Sequence, residues 1–120
     1  MTVLKLVPQD FELVSGNDKN LNFTVLDQDD IAVDLSGATI AWSMSNSAKN
    51  KTPLVNLLSP ADITITDAPN GKFTVAIKDT DTESFTGGDY YHEARVTSSG
   101  GSKTTVAYGT VHLLDNIIDT

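Results

Sequence analysis

Apolar and polar residues alternate along the chain in short runs, and most runs close on a cluster of Gly, Asn, Asp or Ser. Leu21, Phe23 and Val25 alternate with Asn22, Thr24 and Leu26; Ile40, Trp42 and Met44 alternate with Ala41, Ser43 and Ser45. Phe73, Val75 and Ile77 alternate with Thr74, Ala76 and Lys78. Tyr90, His92, Ala94 and Val96 alternate with Tyr91, Glu93 and Arg95. A period of two sends successive side chains to opposite faces, so these runs predict half-buried antiparallel strands. Trp42, the only tryptophan, falls on the inner face of a central one.

The remaining runs are shorter. Residues 2–7 alternate weakly and read as an edge strand or an arm that Pro8 ends. Phe11, Leu13 and Val14 predict a second strand, closed by the turn cluster at 15–18. After a turn at 27–30, Ile31, Val33 and Leu35 predict a short returning strand. Residues 46–53 are a polar loop, and 54–58 an edge strand or a flap. Ile63 and Ile65 predict a strand that Asn70-Gly71 returns as a tight hairpin. The last strand, 104–114, has mixed parity: Val106 and Tyr108 form one set, Val111 and Leu113 the other. Gly109 stands between them and predicts a bulge that flips the register. About eight or nine short strands and no helical period favour a sandwich or a barrel.

A polar turn at 79–83 leads to Phe85, to Gly87-Gly88 and then to Tyr90. In an immunoglobulin-type sandwich a tyrosine opens the strand after such a corner and its hydroxyl ties back to upstream backbone. His92 then falls two residues later, where antibody domains hold a cysteine. This chain has no cysteine, so packing must replace the inter-sheet disulfide, and thiol chemistry and Cys-based zinc sites are excluded. The expected fold class is an all-β, immunoglobulin-like antiparallel sandwich. A chain of 120 residues suits a single domain, 1–120, with an N-terminal arm or edge strand at 1–9 and a tail at 115–120.

Charge narrows the partners. Eight basic residues against 16 acidic ones give a net charge of −8, which repels phosphate backbones and anionic membranes. No run approaches the roughly 18 apolar residues of a membrane span, and the short apolar patch before Pro8 is too short for the apolar region of a signal peptide and lacks a small-residue cleavage site. Synthesis in a cytoplasm is the expectation.

Candidate chemistry is sparse. His92 and His112 are the only histidines, and a zinc site wants three or four ligands. Asp27, Asp29, Asp30 and Asp34 are the densest carboxylate group, but their spacing misses the EF-hand loop. Asp79, Asp81 and Glu83 suit side-chain to backbone bonds in a corner. Nucleophile-elbow, P-loop and dinucleotide motifs are missing from the sequence. The expectation is a non-enzymatic protein with no catalytic residue, no metal and no cofactor. More informative are apolar residues that the sandwich pattern does not require: Val3, Leu4 and Leu6; Leu54, Val55, Leu57 and Leu58; Ile117 and Ile118. These are the candidate interface. A carbohydrate-binding or adhesion module is the alternative, and it needs exposed aromatics, for which Tyr91 and Tyr108 qualify.

A family resemblance rests on four pieces. They are Phe11-x-Leu13-x-x-Gly16-x-Asp18-x-x-Leu21-x-Phe23-x-Val25-x-Asp27-x-Asp29, then Asp34-Leu-Ser-Gly-Ala-Thr-Ile40, then Asn70-Gly-Lys-Phe-Thr-Val75, then Gly88-Asp-Tyr-Tyr91. Together they span roughly residues 10–114 and resemble the N-terminal immunoglobulin-like domain of upper baseplate proteins in tailed bacteriophages. The resemblance implies a virion building block in tail, baseplate, neck or capsid, with no catalytic residues to carry over. It implies self-association, as a trimer or hexamer, and docking on other virion structural proteins, with no nucleic acid or membrane partner. That family continues past the sandwich into long helices and a receptor-side portion. This sequence stops soon after its last strand, so a small adaptor or decoration protein is the form expected.

Overall fold

The computed structural model describes residues 4–46 and 53–117. Val3 and Ile118 lie outside the described residues, as does most of the predicted polar loop. Nine strands are described: β1 (Val7–Pro8), β2 (Phe11–Val14), β3 (Lys19–Thr24), β4 (Thr39–Ser45), β5 (Val55–Leu58), β6 (Ile63–Asp67), β7 (Lys72–Ile77), β8 (Gly88–Thr97) and β9 (Lys103–Leu114). They form two sheets packed as a sandwich. The larger runs β1-β9-β8-β4-β5, with β2 also on β9; the smaller runs β3-β7-β6. Among the described residues no helix is long and apolar enough to cross a membrane.

The period-two runs become the core. Leu21, Phe23, Ile63, Phe73, Val75 and Ile77 of the smaller sheet are buried against Ile40, Trp42, Met44, Val96, Val111 and Leu113 of the larger. Trp42 is 1% exposed, and Phe23 stacks on Phe73 with ring centroids 5.0 Å apart. The strand predicted from Ile40 to Met44 and the hairpin through Asn70-Gly71 are both present. Gly71 has φ 70°, and a Cβ there would lie 2.6 Å from the Val25 carbonyl oxygen. The turn therefore needs glycine for its conformation and for its space.

Five expectations are corrected. The larger sheet is mixed, because β1 and β2 both pair with β9 in parallel. The first strand is only Val7–Pro8, so Lys5 and Leu6 of the run at 2–7 lie outside it, and Pro8 ends it at the sheet edge, where its missing N–H costs no ladder bond. Residues 31–35 form no strand. The Asp27 carboxylate captures the amides of Asp29 and Ile31, and Asp30 turns to φ 62°. Only an isolated Leu26–Ala32 bridge survives. One helical turn, α1 (Asp79–Thr82), occupies the polar corner. Finally, the register of β9 flips at Val106 and not at Gly109. Ala94 pairs with Ala107 and Arg95 with Thr105, so Val106 has no partner and both Val106 and Ala107 face inward. Gly109 answers a different need. A Cβ there would collide with the Gln9 carbonyl oxygen and lie 2.7 Å from Asp10 Oδ1, because residues 9–10 pass directly over it.

Candidate functional site

His92 sits where β8 crosses beneath that N-terminal passage. It is 2% exposed, and its register partners are Met44 on β4 and Gly109 on β9. Trp42 Nε1–H donates to His92 Nδ1 at 3.1 Å. An indole nitrogen can only donate, so Nδ1 must be the unprotonated nitrogen. The proton is then on Nε2, which donates to the Gln9 carbonyl at 2.5 Å. The Phe11 ring meets the imidazole edge-on, with centroids 5.1 Å apart. Burial pushes the pKa of His92 below 6.5, against the opposing pull of the Gln9 bond and of Asp10 and Glu93. Both ring nitrogens are occupied by the fold, so His92 ties β8 to β4 and to the link between β1 and β2, where a disulfide would join two sheets.

His112 is the opposite case. It is exposed and bonds Asp89 Oδ1 through Nδ1 at 2.8 Å. That bond holds its pKa above 6.5.

The acidic groups are drawn into turns. Asp27 closes the 27–31 turn, and Lys5 pairs with Asp30 at 2.5 Å. Asp34 accepts from the Ser36 amide and hydroxyl, which hold its carboxyl below the usual range. Asp81 accepts from the Lys78 amide, and Asp18 accepts from the Asp79 amide. Among the described residues, no group of three or more His, Asp or Glu is arranged to hold a metal ion.

The corner is pinned as its sequence suggested. The Tyr90 hydroxyl donates to the Thr86 carbonyl at 2.7 Å, and its ring stacks on Phe85. A second fastening carried no sequence signal. The buried Ser15 hydroxyl donates to the Thr82 carbonyl at 2.7 Å, and the Gly16 amide donates to Thr82 Oγ1. A serine and a threonine in turn-rich stretches look like any other turn residues.

The nine apolar candidates separate. Val55 and Leu57 are corrected to core residues. They pair with Met44 and Trp42, share the inner face with them and are buried. Leu4 is half-buried against the core. Leu6, Leu54, Leu58 and Ile117 remain exposed, Ile117 almost completely at 97%.

Leu54 and Leu58 lie on the outer face of the larger sheet. Leu58 stands in one row with Ala41 and Arg95. Leu54 continues its parity just before β5. Tyr91 pairs with Thr110 and Glu93 with Tyr108, so the two exposed tyrosines are diagonal neighbours, roughly 7–8 Å apart. Leu114, also exposed, pairs with Val14 at the far end of the face. At one end of the sandwich a cleft of about 420 Å³ opens among Leu4, Val33, Leu35, Ala38 and Val96, rimmed by Ser98, Ser99 and Ser102. Compared with known proteins, the chain matches no family model and no curated protein.

Proposed function

We propose that this chain is a non-enzymatic structural protein of a bacteriophage particle, acting by self-association and by docking on other particle proteins. One observation carries the docking reading. Leu54, Leu58, Tyr91, Tyr108 and Leu114 are all exposed and all face outward from the larger sheet. Scattered exposed apolar residues are ordinary, and the placing of these five on one face of one sheet supports an interaction surface there. Conversely, His92, Asp27, Asp34 and Asp81 are engaged by the core and by turns. The phage assignment rests on the sequence resemblance.

The test is assembly. Purified protein should form a trimer or hexamer by light scattering, and Leu58→Asp with Tyr108→Ala should reduce it to monomer without unfolding it. Mass spectrometry of purified particles should find the chain. A monomer at all concentrations that is missing from the particles would count against the reading.

A second reading is favoured by the tyrosine pair. Two aromatic rings on one face, beside Glu93 and the Ser43–Asn56 hydrogen bond, suit stacking against a sugar with polar groups at its edge. A glycan array should then give hits that Tyr91→Ala and Tyr108→Ala abolish; a blank array removes this reading.

A further inference from the structure

We propose that His92 is an acid-sensitive latch that holds the N-terminal strands β1 and β2 on the sandwich and lets them go when it gains a proton. The latch is geometric. The imidazole is the only side chain bonded both to the central strand β4, through Trp42 Nε1, and to the N-terminal passage, through the Gln9 carbonyl, among the hydrogen bonds of the described residues. A second proton has one place to go, Nδ1. There it meets Trp42 Nε1–H, and two donors face each other across 3.1 Å. The charged ring must therefore lose its indole bond and find water.

The residues around it limit how that happens. Asp10 and Glu93 are the charged groups that act on the ring, and both favour the cation. β4 offers Trp42 and Met44, β9 offers Gly109 and β2 offers Phe11, none of which titrates. The inner side is closed by core. Relief lies outward, where residues 9–10 are held over Gly109 by the Gln9 amide to Tyr108 carbonyl bond and by Asp10 accepting from the Thr110 amide. β1 contributes two residues and β2 four, both at a sheet edge. Each has β9 as its one strand partner. Moving them away hydrates His92 and bares the edge of β9.

Amide hydrogen exchange read by mass spectrometry on the intact chain tests the latch, with His92→Gln as reference. Glutamine can accept from Trp42 and donate to Gln9 but does not titrate. At pH 7.5 residues 4–14 should be equally protected in both proteins. Below pH 6.5 the wild-type segment should lose protection relative to His92→Gln at the same pH, by up to about tenfold per pH unit. Strands β4 and β7 should keep theirs, and His112→Gln should behave as wild type. Equal protection of residues 4–14 in both proteins at pH 5.5, or equal loss across all strands, would overturn the proposal. If His92→Gln does not fold, the wild-type imidazole can be titrated by proton–nitrogen correlation. Its titration and the exchange of residues 4–14 must then move at one pH, and a separation between them would overturn the latch.

Discussion

At the scale of single residues, His92, Trp42 and Tyr90 hold the fold through side-chain hydrogen bonds, the first two across long sequence distances and the third locally. Because the folded pKa of His92 lies below its unfolded value of 6.5, the unfolded chain takes up its proton first as pH falls. The stability tied to neutral His92 is therefore complete above pH 6.5 and is lost as pH drops from there toward the folded value. His112 has the opposite sign. Its folded pKa is raised, so its contribution is present below 6.5 and fades as pH rises through the folded value, and its exposure keeps that contribution small. Melting temperature followed against pH should show the acid limb flatten in His92→Gln and persist in His112→Gln. Trp42→Ala removes a buried ring and also leaves His92 Nδ1 without its donor, so chemical denaturation should show a loss of about 3–5 kcal/mol. Tyr90→Phe removes one hydroxyl bond and should cost about 1 kcal/mol in the same measurement.

Elements are where sequence and structure part. Runs with a clean period of two, such as Ile40–Met44 and Phe73–Ile77, were legible because burial of one face dictates their pattern. The corner tyrosine was legible because its bond is local, reaching back to Thr86. Residues 31–35 alternate as well as any strand, but the Asp27 carboxylate takes the Ile31 amide, and the Val33 and Leu35 amides go to two different carbonyls, those of Val25 and Ala68. Gly109 misled for a related reason. A glycine in a strand signals either a bulge or a close approach, and only the path of residues 9–10, a hundred positions away, decides between them. Parallel pairing of β1 and β2 with β9 is equally non-local. The interface candidates failed where a four-residue edge strand turned two of its members, Val55 and Leu57, into the core. Gly109→Ala tests this level. With the Gln9 carbonyl in the way, β1 and β2 must shift, and denaturation should register a loss of about 1–3 kcal/mol, with exchange rising first in residues 4–14.

For the whole molecule, we propose that the side chains inside the sandwich serve the fold and that the outer face of the larger sheet serves docking. A surface with net charge −8 keeps copies apart unless a specific apolar contact overcomes the repulsion. Assembly should therefore strengthen with salt, which screens the charges. The most direct measurement is the molar mass by light scattering across protein and salt concentration, for wild type and for the Leu58→Asp, Tyr108→Ala double variant. The wild type should be a trimer or hexamer and the variant a folded monomer. A wild type that stays monomeric throughout, or a variant that assembles as the wild type does, would overturn the docking proposal.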